Sequence, residues 1–214
     1  LARPQFGSKL KEVTRTGIEM MLAVDVSNSM LAQDFEPSRL ERTKFAIDRL
    51  TQQLEQDRIG LIVFAGDAYM QLPITSDYVA ARSFAAQISP TMVSKQGTAI
   101  GAAIDLAANS FSSGSEGSRV IVVISDGENH EDDALAAAKA AAEKGIRIYT
   151  IGIGTPEGAP ISIDGEFIKD EQGDMVVSKL DEQMLEQIAL TTGGAYIRAT
   201  NRSLGLDEIV QKIN

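Results

Sequence analysis

Four short segments of this chain, IEMMLAV (18–24), RIGLIVFA (58–65), RVIVVIS (119–125) and IRIYTIGIG (146–154), are almost continuously apolar and rich in Val and Ile. A strand that stays apolar without alternating is covered on both faces, which is the situation in a parallel sheet flanked by helices. Helical patterns lie between the runs. Residues 39–55 bring Leu40, Phe45, Ile47, Leu50 and Leu54 near one stripe, and 100–111 reads as a second helix. Residues 132–143 are Ala-rich, with Glu131, Asp132 and Asp133 as a solvated, acidic start and Lys144-Gly145 at the stop. This alternation predicts an α/β fold: a doubly wound, mostly parallel central sheet with helices on both faces. AYMQLPIT (68–75) follows the second run after only Gly66-Asp67, a hairpin spacing, and contains Pro73. It is expected to form one antiparallel edge strand.

Residues 155–180 break the pattern. Asp164-Gly165 and Gly173-Asp174 are turn signals between short alternating stretches, so an inserted β-hairpin outside the main sheet is expected. Its polar alternation suggests that it can be shortened without unfolding the sheet. A helix (181–191), a strand (195–199) and a closing helix (203–213) complete the chain. The 214 residues are read as a basic arm, 1–16, and one domain, 17–214, that contains the insertion.

The arm carries Arg3, Lys9, Lys11 and Arg15 against Glu12 alone, while the whole chain has a net charge of −10. It reads as a solvated arm or as a stretch bordering a membrane helix. The chain begins at Leu1, which reads as a fragment, and no apolar run approaches the ~20 residues that span a bilayer. The negative charge and the absence of Trp argue against nucleic acid. The absence of Cys removes disulfides, thiolate metal sites and cysteine nucleophiles together.

Ligands of doubly wound sheets bind at the carboxyl ends of the strands. There the chain supplies Asp25-Val26-Ser27-Asn28-Ser29 after the first run, Asp126-Gly127-Glu128 after the third, and Gly97-Thr98 before the helix at 100. These are carboxylate and hydroxyl oxygens, a set for a hard cation such as Mg2+ or Ca2+ rather than zinc or copper. Each piece alone is an ordinary cap or turn. Their coincidence at three element ends is what points to a metal. His130 is the only histidine and reads as a rim residue, so no Ser-His-Asp triad is apparent. Gly152-Ile153-Gly154 lacks the third glycine of a dinucleotide fingerprint. Met20, Met21 and Met30 read as packing residues, and Asp67 as a turn former.

DVSNSM, GTAIGAAI and VISDGEN resemble, in order and separation, the metal-ion-dependent adhesion site (MIDAS) of von Willebrand factor A domains. The resemblance implies a site of Asp25, Ser27, Ser29, Thr98 and Asp126. Ser27 and Ser29 would bind the metal directly, Thr98 directly or through water, and Asp25 and Asp126 through waters and hydrogen bonds. The implied cofactor is Mg2+, with Mn2+ or Ca2+ as alternatives. The implied function is a non-enzymatic protein-interaction module that holds a Glu or Asp of a partner. LARPQFG, IEMMLAVDVSNSM and EFIKDEQGDMVVSKLDEQ are similar to bacterial membrane-anchored A-domain proteins of the aerotolerance (Bat) group. That similarity implies flanking membrane helices absent from this chain, an inner-membrane location with the domain in the periplasm, and other Bat-type proteins or a MoxR-type AAA+ ATPase system as partners. The alternative is a Mg2+-dependent phosphoryl-transfer or hydrolytic enzyme. Such chemistry needs cations for phosphate charge, and Lys95 is the nearest candidate in the sequence.

Overall fold

The computed structural model describes residues 17–112, 117–129 and 131–213. The elements run β1 (Glu19–Asp25), α1 (Arg39–Thr51), β2 (Arg58–Phe64), β3 (Ala68–Thr75), α2 (Tyr78–Ala86), α3 (Ile100–Ala108), β4 (Arg119–Ser125), α4 (Ala134–Glu143) and β5 (Arg147–Gly152). Then come β6 (Ala159–Pro160), β7 (Ser162–Ile163), β8 (Glu166–Phe167), β9 (Val177–Ser178), α5 (Glu182–Thr191), β10 (Tyr196–Arg198) and α6 (Leu206–Ile213). The basic arm and His130 lie outside the described residues.

Six strands form one sheet in the order β10-β5-β4-β1-β2-β3. All neighbours are parallel except β3, which pairs antiparallel with β2 at the edge, as the short Gly66-Asp67 connection requires. Strand alternation divides β1 between two cores. Met20, Leu22 and Val24 pack with Leu40, Ile47 and Leu50 of α1, Ala81 of α2 and Ile209 of α6. Met21 and Ala23 pack with Ile104 of α3, Ala138 of α4 and Ile188 of α5. Every residue of β1 is buried, which is why residues 20–24, between Glu19 and Asp25, are apolar without alternation. Phe45 departs from expectation. It lies five residues, about 140° of helical turn, from Leu40, and is 58% exposed.

β1 lies between β4 and β2 in the sheet, so the chain leaves β1 toward one edge and later returns to the other side. The carboxyl ends of β1 and β4 therefore flank the point where the winding reverses, the crevice that doubly wound folds use for ligands. The insertion, 155–180, forms two small antiparallel ladders apart from the main sheet, β6 with β9 and β7 with β8. Alternation gives it two sides. Ala159, Ile161 and Ser178 are buried, whereas Phe167, Met175 and Val177 are exposed. Among the described residues no helix is long and apolar enough to cross a membrane.

Candidate functional site

The first group of site residues follows β1 directly. Asp25, its last residue, is fully buried, and its Oδ1 accepts the Ser27 backbone N–H at 2.8 Å. That bond turns the chain over into a short 3-10 turn, Asn28–Leu31, while Val26 and Met30 drop into the core. The turn has no side-chain cap, so neither serine serves the capping role its residue type allows. Instead the Ser27 and Ser29 hydroxyls are hydrogen-bonded to each other, with their oxygens 2.9 Å apart. Asp25 Oδ2 accepts a 2.6 Å hydrogen bond from Ser125 Oγ at the end of β4, tying the two strand ends together.

Asp126, one residue beyond β4, is also fully buried, but its partners come from far away in sequence. Its Oδ2 accepts from Arg39 Nη1 at 3.0 Å and from Ser178 Oγ at 2.9 Å. Its Oδ1 accepts weakly from Glu128 N at 3.3 Å. Arg39, the first residue of α1, has no exposed side-chain surface. It donates to both oxygens of Asp34 at 2.7 Å and to Ser178 Oγ at 2.8 Å. Gly154 makes room for it. A Cβ there would stand 3.0 Å from the guanidinium carbon, and its φ of +140° disfavours any other residue.

Thr98 is buried on the loop before α3. No hydrogen bond among the described residues joins its side chain to the other four. Its place is set by the backbone, with Ala99 N donating to Ala65 O beyond β2 at 2.7 Å and Ile100 N to Asn129 Oδ1 at 3.1 Å. Ala99, not Thr98, is the N-cap of α3, so the Thr98 hydroxyl is not spent on capping. The cap comes from the segment after β4. Asp132 accepts from Gly101 N and Ala102 N at 3.0 and 2.7 Å, which corrects its reading as the solvated start of α4. A side chain at Gly101 would collide with that carboxylate. Asp133 alone caps α4.

The electrostatics are unbalanced. Burial first, and then the negative charge of Asp126, push Asp25 up to about 7 against hydrogen bonds from Ser125 and Ser27 that lower it. For Asp34, burial acts upward, but the Arg39 guanidinium and bonds from Thr155 hold it below the ordinary carboxylate range. When Asp25 is ionised, three carboxylates stand against one guanidinium, a formal charge of minus two in a nearly closed space. Among the described residues no three His, Asp or Glu are grouped as metal ligands, so any cation here would rest largely on hydroxyl and water oxygens.

Sequence reasoning placed Asp25, Ser27, Ser29 and Asp126 where the structure brings them together, but it missed Arg39, Asp34 and Ser178. Arg39 looked like an ordinary helix residue. Its one faint signal was an arginine in the first turn, where the helix dipole disfavours a cation. Lys95, the cation singled out instead, pairs with Glu131 at 2.9 Å. Lys179, near the end of the insertion, donates its backbone N–H to Glu128 Oε1 at 3.3 Å.

An uncharacterised protein of Borreliella burgdorferi is 30% identical over 201 residues, 92% of this chain and 58% of its own length. A UPF0353 protein of Mycolicibacterium paratuberculosis is 31% identical over 84% of this chain and 55% of its own. The chain thus spans little more than half of these relatives. Among solved structures, an aerotolerance-related membrane protein of Bacteroides fragilis is 52% identical with a TM-score of 0.88, covering 92% of this chain and 99% of that one. The conserved hypothetical protein BatB of Bacteroides thetaiotaomicron is 50% identical with a TM-score of 0.87, covering 92% and 98%. A proximal thread matrix protein of the mussel byssus, described with zinc in its MIDAS motif, is 15% identical with a TM-score of 0.67 over 93% of this chain and 45% of that one, and so shares the fold. The von Willebrand factor type A domain pattern matches residues 19–212, and the chain belongs to that family, alongside the aerotolerance-related Bat proteins.

Proposed function

We propose that Ser27, Ser29 and Thr98 hold a divalent cation, with Asp25 and Asp126 behind them, and that the domain uses it to bind a Glu or Asp of a partner protein. The observation that carries this reading is the pair of hydroxyls 2.9 Å apart, backed by two fully buried carboxylates in a cluster of formal charge minus two. Adjacent ligands of an octahedral ion at 2.0–2.1 Å are about 2.9 Å apart, so the spacing fits Mg2+ or Mn2+; Ca2+, at 2.3–2.6 Å, would need about 3.3 Å or more. A bound divalent ion also supplies the positive partner that Asp25 lacks. Because its direct protein ligands are neutral, it would stay electrophilic and favour an anionic sixth ligand.

Arg39 weakens the enzymatic alternative. It is the cation nearest the site, yet it is fully buried and saturated by Asp34, Asp126 and Ser178, so it is not available to a phosphate. In this reading the domain is an interaction module and not an enzyme. It would belong to a protein anchored in the bacterial inner membrane, with the domain in the periplasm and a Bat-type protein or MoxR-type ATPase assembly as partner. The description of the 52% identical Bacteroides fragilis protein as a membrane protein supports the anchoring.

Calorimetric titration with MgCl2 tests the cation, with Ser27→Ala as control. Wild type should bind and the variant should bind at least tenfold more weakly. Capture from detergent-solubilised membranes with and without EDTA then tests the partner. The acidic residue it supplies, changed to its amide, should lower affinity at least tenfold, about 1.4 kcal/mol. Retention in EDTA, or an amide variant that binds as well, rules out metal-held recognition.

A further inference from the structure

Asp126 has both oxygens committed before any cation arrives. Oδ2 takes the Arg39 guanidinium at 3.0 Å and the Ser178 hydroxyl at 2.9 Å, while Oδ1 leans on Glu128 N at 3.3 Å. The two clamping groups also hold each other at 2.8 Å, and a further contact runs from Arg39 Nη2 to Ser178 O at 3.2 Å. Arg39 is braced from its far side by the two-pronged bond to Asp34, which in turn accepts from Thr155 N at 3.0 Å. Both ends of the insertion, Thr155 at its entry and Ser178 near its exit, thus reach the same guanidinium network. This is a rigid arrangement, because every member is buried or nearly so and each has more than one partner.

A carboxylate held in this way cannot swing to chelate a metal through two oxygens. Ca2+ gains most from such ligands, since it takes six to eight oxygens and accepts carboxylates in bidentate fashion. Mg2+ loses little, because it keeps several waters and asks only for octahedral spacing. We propose that Arg39 and Ser178 are positioning residues that withhold Asp126 from direct coordination and so set the preference of the site for a small octahedral cation over Ca2+. This rests on the metal-binding reading above and extends it: the insertion takes part in choosing the metal through one hydroxyl.

The test is calorimetric titration of wild type, Ser178→Ala and Arg39→Lys with MgCl2 and with CaCl2, each protein first confirmed as folded by circular dichroism. Ser178→Ala removes a neutral hydroxyl and is the variant most certain to fold. Arg39→Lys keeps the charge but loses the fork that grips Asp34 and Asp126 together. The ratio of Mg2+ to Ca2+ affinity should fall about fivefold in Ser178→Ala and further in Arg39→Lys, with Ca2+ affinity rising in absolute terms. A merely structural role would weaken both cations alike and leave the ratio unchanged, and that outcome overturns the inference while the metal site stands. Wild type that binds neither cation overturns the metal-binding reading itself and this inference with it.

Discussion

Asp25 and Asp126 occupy the carboxyl ends of neighbouring parallel strands and are both fully buried, yet their surroundings are built in opposite ways. Asp25 is served locally and by neutral groups, the Ser27 amide two residues on and the Ser125 hydroxyl on the adjacent strand. Asp126 is served by a cation from the start of α1, 87 positions away, and by a hydroxyl from the insertion, 52 positions away. One half of the site is thus an electrostatic deficit, and the other is already compensated. The difference separates two jobs that a buried carboxylate can do: attract a cation, or anchor a framework. A buried charge without a charged partner raises the free energy of the folded state until a counterion arrives. A buried charge with a guanidinium contributes to the architecture whether or not the metal is there.

The largest effect expected from this contrast is on Arg39. Arg39→Met leaves Asp34 and Asp126 as uncompensated buried carboxylates, and breaking a buried pair by removing one partner costs about 3–5 kcal/mol. Against the ordinary 5–15 kcal/mol of a folded domain, that is a large fraction. Urea unfolding in EDTA should show it. A loss below about 1 kcal/mol would mean that the guanidinium is not what holds this side of the site.

Next is the pair of isosteric changes at the strand ends, again measured in EDTA. Asp126→Asn removes the charge facing Arg39 and should cost about 2 kcal/mol, within the range for hydrogen bonds to charged groups. Asp25→Asn removes a buried charge that has no cationic partner and should cost less than about 1 kcal/mol, or even stabilise the domain. Both variants should lose Mg2+ binding. Equal costs for the two would erase the distinction between deficit and anchor.

This asymmetry also separates what the sequence revealed from what it hid. The Asp25, Ser27 and Ser29 group was legible because a continuous apolar run says where a parallel strand ends, and the next residues must then lie at the sheet's ligand-binding edge. Asp126 was legible for the same reason. The sheet, its antiparallel edge strand and the helical layers followed from periodicity and connection length. The Arg39 network was not legible, because its members are joined only by tertiary packing, and an arginine on a helix is most often a solvated one. The same limitation applies to Asp132, whose local position suggests a cap for α4 but whose carboxylate reaches across to α3. Phe45 leaves the stripe because its angle on the helix, and not its apolar character, decides which face it takes.

A smaller effect should appear in acid. The folded-state pKa of Asp34 is lowered, so the stability it contributes is complete above its unfolded value, about 3.9, and is lost as pH falls through the lower folded value. Asp34→Asn should therefore cost about 1.5 kcal/mol at neutral pH, and the gap between it and wild type should close as pH falls below about 4. Denaturant midpoints measured from pH 7 down to 2.5 would show the convergence. Parallel curves would mean that the Arg39–Asp34 contact contributes no net charge stabilisation.

The smallest effect should come from the outer half of the insertion, and it sharpens the comparison by showing where the framework stops. Residues 159–160 and 177–178 pair in the β6–β9 ladder, and the side chains of Ala159, Ile161 and Ser178 in and beside it are buried. Beyond them, Phe167 and Met175 are more than half exposed, and Gly165 and Gly173 have open space where a side chain would be. Ile161 N donates to Val176 O at 3.1 Å, so these two residues already face each other as the ends of a hairpin. An Asn-Gly turn in place of residues 162–175 should close that hairpin without changing its twist. The expected cost is below about 0.5 kcal/mol, since the residues removed bury little apolar surface, and Mg2+ affinity should match wild type. Extending the deletion through Ser178 should behave differently, because it removes a donor to Asp126 and a partner of Arg39 together. The expectation that the insertion can be shortened thus narrows to its tip. If the 162–175 deletion itself lowers stability by more than about 2 kcal/mol or abolishes Mg2+ binding, the framework reaches further out than the Arg39 network, and the boundary drawn at Ile161 and Val176 is in the wrong place.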